Sequence, residues 1–170
     1  MLSHASSDLP LTPKEISFLT FWNRLKGDRA MPERSQIVPE ELAPWIGWLH
    51  LVEVIDGGED FLYRIFGSEA GGATGYRLHR KKVSEWDPPI RERALNIYRM
   101  AVVEKQPIYH CRFEDFSPIA QNTFSRIVVP LGGSETGHST HVLAFVTKHS
   151  KPFYHDYVVI DPITPLVPAS

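Results

Sequence analysis

The stretch DFLYRIFGSEAGGATGYRL, residues 60–78, decides the fold. Six residues of strand character run into Gly67-Ser68, and a patch of small residues follows. A strand that ends this way leaves its sheet sharply and hands over to something short. Gly67 permits the exit because it has no Cβ to clash. Ser68 caps a helical turn through Glu69 to Ala73, and Gly75 ends it. Upstream, WLHLVEVID (48–56) reads as another strand. Asp56-Gly57-Gly58-Glu59 between the two is hairpin chemistry, so they are expected to be antiparallel neighbours.

Downstream, Asp87 caps a long helix that Pro88 and Pro89 open and that runs to Glu104. Its apolar stripe is Ile90, Ala94, Ile97, Tyr98 and Ala101, spaced for one helix face. Three strands follow, at 107–116, 123–131 and 140–148, joined by turn-rich connectors at Ser117–Asn122 and Gly132–Ser134. At the N-terminal end, Thr12, Pro13 and Glu15 open a helix that stops at Gly27. Its apolar residues, Ile16, Phe18, Leu19, Phe21, Trp22 and Leu25, exceed what one face needs. The order is helix, two strands, short helical pieces, one long helix, three strands. This is an α+β chain of five antiparallel strands with helices on one sheet face.

The bulk numbers exclude several classes. The chain has 170 residues, 42% apolar and 22% charged, which suits one globular domain. Eighteen basic residues against 20 acidic give a net charge of −2, without the basic excess of a nucleic-acid binder. The run RLHRKK (77–82) reads as a solvated loop. A single cysteine, Cys111, allows no internal disulfide and no CxxC zinc site. No leader pattern and no apolar run of membrane-spanning length stand out, and a cytoplasmic protein is expected. P-loop, GxGxxG, HExxH and GxSxG motifs are missing from the sequence, and no catalytic residue is assigned.

FWNRLKGDRAMPERSQIVPEEL (21–42), LVEV (51–54) and DFLYRIFGSEA (60–70) carry a family resemblance. In that order they resemble a PAS domain, and more narrowly a bacterial PAS-type family first catalogued as a domain of unknown function. The resemblance covers residues 48–148. It implies the sheet order 2-1-5-4-3, with the helices folded over one face and a ligand pocket beneath them. Residues 1–47 then form a helical extension and 149–170 a proline-containing tail. The pocket residues expected are Tyr63, Tyr98, His110, Cys111 and Phe145, a set that depends on strand parity. Phe18, Leu19, Trp22 and Leu25 are expected to pair two protomers in a homodimer, against the alternative that the helix covers its own sheet.

His79 and His110 are the histidines to consider for haem, and Cys111 for flavin chemistry; neither cofactor is indicated by a surrounding motif. His138 and His141 make a weak zinc pair. Arg64, Arg112 and Arg126 lie on strands. They either sit on the outer face and pair with carboxylates, or grip an anionic ligand under the helices. The function expected is a sensory or regulatory protein, not an enzyme. It binds a small ligand or a protein partner and signals through a separate effector. The alternatives are a small cone-shaped α+β isomerase or dehydratase, which needs a His–Asp or Tyr–Asp pair in its cavity, and a haem-bound gas or redox sensor.

Overall fold

The computed structural model describes residues 3–4, 9–115, 121–133 and 135–160. Most of the connector after the third core strand, Ser134 and the prolines at 162, 165 and 168 lie outside these. The first helix, α1 (Pro13–Lys26), opens as its sequence predicts. Thr12 Oγ1 accepts the Glu15 N–H at 3.2 Å, and Glu15 Oε1 accepts the Thr12 N–H at 2.9 Å. This reciprocal box satisfies two backbone donors that a helix start leaves over.

Strand β1 is the two-residue Ser3–His4. β2 (Leu49–Ile55) and β3 (Asp60–Ile65) form the expected antiparallel hairpin. α2 (Ser68–Thr74) and α3 (Pro88–Glu104) follow, then β4 (Ile108–Asp115), β5 (Gln121–Gly132), β6 (Ser139–His149) and β7 (His155–Val159). The sheet runs β1-β7-β4-β5-β6-β2-β3. Within it, β2 to β6 keep the predicted order 2-1-5-4-3. The strand count needs correction, because the sheet has seven strands and not five. β7, read from sequence as part of the tail, pairs antiparallel with β4 through Ile108–Val159 and Tyr109–Val158. Its pairing satisfies a row of backbone donors and acceptors that β4 would otherwise leave open at a sheet edge.

Gly67 answers the question its sequence raised. Its φ is −57°, which any residue adopts. A Cβ there would lie 2.5 Å from the Gly47 carbonyl oxygen and 2.9 Å from the Leu49 nitrogen. The glycine is needed for close backbone approach where β2 begins. A Cβ at Gly71 would lie 3.0 Å from the Tyr76 carbonyl oxygen, whereas one at Gly72 would meet open space.

The strand pleat divides the core in two. Leu49, Leu51, Tyr109, Cys111, Ile127, Val129, Leu143 and Phe145 face α1. Val52, Phe61, Tyr63, Ile108, Val128, Val142 and Ala144 face α3. Helices therefore cover both faces. α1 seals its side with Phe18 against Phe145 and Trp45, at ring separations of 5.4 and 5.6 Å. Trp22 Nε1 donates to the Pro130 carbonyl at 2.9 Å. Glu15, fully buried, accepts from Ser125 Oγ at 2.9 Å, and Ser125 Oγ lies 2.7 Å from His149 Nε2. The run at 77–82 is not a free loop. Arg80 donates its N–H to the Tyr63 carbonyl, and the Lys81 carbonyl accepts the Tyr63 N–H, so the segment covers the outer edge of β3.

Candidate functional site

Between the sheet, α2 and α3 lies a cavity of about 70 Å³. Each wall follows from a local rule. Even-numbered residues of β2, β4, β5 and β6 point toward α3, and this brings His50, His110, Arg112, Arg126 and Val146 into the lining. On β3 the odd positions face the same way, which places Tyr63 there. The stripe of α3 supplies Ile90, Ala94, Ile97 and Tyr98, with Arg93 beside it. Phe66, Tyr76 and Trp86 come from the segments around α2, and Tyr157 from β7.

The polar groups in this wall are mainly hydrogen-bond donors. His50 is buried, and its Nδ1 accepts the Gly67 N–H at 3.0 Å. The neutral ring therefore carries its proton on Nε2. The ring stacks on Phe66 at 4.1 Å and meets Tyr63 edge-on at 5.9 Å. Burial, with help from the Arg126 charge, pushes its pKa down to about 3. Tyr63 Oη and Tyr98 Oη are 2.7 Å apart. Burial raises both phenols, Tyr98 to about 12; the neighbouring Tyr98 hydroxyl raises Tyr63 further, and Arg126 draws both partly back. Both stay protonated at neutral pH, and their two hydroxyls share one hydrogen bond. Trp86 Nε1 is buried without a hydrogen-bond partner among the described residues. Three arginines, Arg93, Arg112 and Arg126, line the cavity, and no Asp or Glu appears among its described lining residues. Arg126 lies directly across from His110 on the neighbouring strand, and His110 stacks on Tyr157 at 4.1 Å.

A partly enclosed chamber between an antiparallel sheet of order 2-1-5-4-3 and crossing helices matches what the sequence implied. The pattern of the PAS domain matches residues 12–143. The chain belongs to the PAS domain family. No curated protein and no solved structure matched it. The matched span begins at the cap of α1, so this helix lies within the PAS region.

Of the pocket residues expected from sequence, the PAS cavity gathers Tyr63, Tyr98 and His110. Cys111 and Phe145 are buried on the opposite face, toward α1. His110 and Cys111 are consecutive on one strand and cannot share a face. His79 is exposed and does not line the cavity. Phe18, Leu19 and Trp22, expected to pair protomers, are buried in the chain's own core, and Leu25 is half-buried. The second sheet face accounts for the apolar excess of α1. No cluster of three or more metal-ligating side chains occurs among the described residues. Among those residues no helix is long and apolar enough to cross a membrane.

The three strand arginines lie on different faces of the sheet. Arg64 of β3 pairs with Glu53 of β2 at the solvent-exposed surface of the sheet, away from the cavity. Arg112 and Arg126 turn into the cavity. His50, Phe66, Trp86, Arg93 and Tyr157 went unnoticed as site residues. Parity alone points to His50, because Val52 and Val54 on the same strand carry the α3-facing periodicity.

Proposed function

We propose that this PAS domain is a sensory or regulatory module that takes a small molecule into the cavity under α2 and α3. The observation that carries the reading is the cavity itself. It is enclosed on most sides by aromatic and arginine side chains, and His50 and the tyrosine pair are held in fixed orientations around it. A chamber with prearranged polar groups in an aromatic wall is the common form of a small-molecule site. The isomerase alternative needs a carboxylate paired with a histidine or tyrosine in the cavity, and no Asp or Glu stands among the described lining residues. A haem macrocycle does not fit a cavity of about 70 Å³. Signalling through a separate effector protein follows from a ligand-dependent shift in population between two states of the helices over the sheet.

The test compares the protein with an Ala94→Phe variant, which fills the chamber from α3. Each is incubated with a small-molecule extract, desalted and weighed by native mass spectrometry. A retained mass on the unaltered protein that the variant lacks supports the reading. Identical spectra, with no added mass on either, would sink it. The same spectra report the subunit number, and hence whether a homodimer forms by a surface other than the buried face of α1.

A further inference from the structure

Resting on the reading of the chamber as a binding site, we infer that its ligand is a compact, flat, uncharged molecule whose polar edge only accepts hydrogen bonds, a ring nitrogen or a carbonyl on an apolar frame. His50 and the Tyr63–Tyr98 pair hold the accepting edge, and the aromatic rings beside them hold the frame.

The donors decide the polar edge. His50 Nδ1 accepts the Gly67 N–H at 3.0 Å. An N–H does not donate to a nitrogen that carries its own proton, so this bond alone makes the ring neutral and puts its hydrogen on Nε2. That Nε2–H has no acceptor among the described residues, and the ring lines the chamber. The Tyr63 and Tyr98 hydroxyls, 2.7 Å apart, use one proton between them and leave one O–H to give. His50, Tyr63 and Tyr98 are only 6%, 3% and 4% exposed, so bulk water does not serve these donors freely. In the same wall, the Trp86 Nε1–H is buried without a partner among the described residues. A buried donor without an acceptor is costly, and an occupant that brings lone pairs and no donor of its own removes the cost.

The groups with a hydrogen bond left to give are all uncharged: an imidazole, a phenol pair and an indole. Arg93 and Arg126 have interactions of their own and are not counted among them. An ion held by neutral donors gives up more hydration than they return, whereas a neutral acceptor gives up far less. Shape follows from the rings. Phe66 stacks on His50 at 4.1 Å with the planes 13° apart, and Tyr63 and Trp86 stand 5.8 Å apart. Ala94 and Ile97 line the α3 side. Aromatic faces suit a flat partner. At the space one water needs, a cavity of about 70 Å³ holds about five non-hydrogen atoms.

The experiment titrates the full chain, labelled with nitrogen-15, with oxazole and separately with pyrrole. The two rings are uncharged and nearly the same size. Oxazole presents a nitrogen lone pair and no N–H, and pyrrole presents an N–H and no lone pair in its plane. Shifts are followed at the amides of Gly67, Tyr63 and Tyr98 and at the His50 Nε2–H. Oxazole is expected to bind about tenfold more tightly than pyrrole and to move the Nε2–H resonance downfield, as a new hydrogen bond does. Sodium propionate, an anion with the same number of non-hydrogen atoms, is expected to bind more weakly than oxazole. His50→Asn keeps an acceptor for Gly67 on a shorter side chain and is expected to erase the preference for oxazole; the dispersion of its spectrum shows whether it is folded. Equal binding of the two rings, or tighter binding of pyrrole, overturns the acceptor assignment and leaves the cavity reading standing. Tighter binding of propionate than of oxazole overturns the uncharged assignment in the same way. Shifts at none of these groups with any probe overturn both readings. The comparison of probes on the unaltered protein decides the matter even where His50→Asn does not fold.

Discussion

Replacing His50 by Asn should change how stability depends on pH, by an amount the structure sets. His50 is buried, and its pKa is pushed down to about 3, first by burial and then by the Arg126 charge. In the unfolded chain the imidazole titrates near 6.5. Between these values the unfolded state binds a proton that the folded state does not. Stability therefore rises with pH through this window, by about 1.4 kcal/mol per pH unit from this residue. The contribution is fully present above the unfolded pKa and is lost as pH falls toward the folded one. Moving from about pH 7 to about pH 4.5 removes about 2.5 kcal/mol. That figure barely depends on the folded pKa, so long as it lies below about 4. Asn keeps an acceptor for the Gly67 N–H but loses the stack on Phe66, at a cost of about 1–2 kcal/mol near pH 7. The assay is urea unfolding of both proteins at each pH, and the quantity read is the gap between them. Groups common to both proteins cancel. The gap should shrink with acid and close or reverse by about pH 4.5. A gap that stays constant to within about 0.5 kcal/mol would refute a histidine held neutral in the fold.

Three further substitutions probe the packing and hydrogen bonding on the two sides of the sheet. Gly67→Ala drives a Cβ to 2.5 Å from the Gly47 carbonyl oxygen and should cost about 2–3 kcal/mol in denaturant unfolding; a loss under about 1 kcal/mol would mean that the strand exit yields easily. Gly72→Ala, in the helix α2 that follows Gly67 but facing open space, should instead stabilise by about 0.5–1 kcal/mol, read as a raised unfolding midpoint. Ser125→Ala removes a donor from the buried Glu15 carboxylate and a partner from His149, for a cost of about 1–3 kcal/mol. Because the lost hydrogen bond favours ionised Glu15, this cost should be larger near neutral pH than in acid, and an equal cost at both would show that Glu15 is protonated throughout.

Much of the fold was legible from local chemistry. The Thr12 box, the Asp56–Glu59 turn, the stripe of α3 and the strand lengths all follow from short-range rules, and the structure agrees with each. Sheet order came from the family resemblance, since no local signal specifies which strands meet. What failed was whatever depends on the far side of the sheet. An apolar excess on α1 reads equally as a dimer surface or as the lid of a second sheet face, and only the placement of Phe145 and Trp45 against Phe18 decides between them. β7 was lost among the prolines that flank it, although its sequence, HDYVV, has strand character. The site was half legible. Tyr109 and Cys111 form one parity of β4, and His110 and Arg112 the other. A strand whose polar parity holds His and Arg normally turns that side to water. Here the covering helices turn it into a chamber, and propensity carries no information about that.

The sheet also separates two ionisable groups of opposite habit, and they compete in the pH dependence of the whole protein. Glu15, on the α1 face, is raised mainly by burial, with Thr12 and Ser125 holding it partly down. Its unfolded value is 4.5, so above that pH the unfolded chain releases a proton that the folded one retains. Stability from Glu15 therefore falls as pH rises from 4.5 through its folded pKa, while stability from His50 rises over the same interval. The two slopes have opposite sign where they overlap. A flattened stability profile for the unaltered protein in mild acid is thus compatible with two perturbed groups that offset each other. Removing His50 alone exposes the falling arm, and replacing Glu15 by Gln alone exposes the rising one. If both single variants remained as flat as the parent, neither group would be titrating in the environment that the fold gives it.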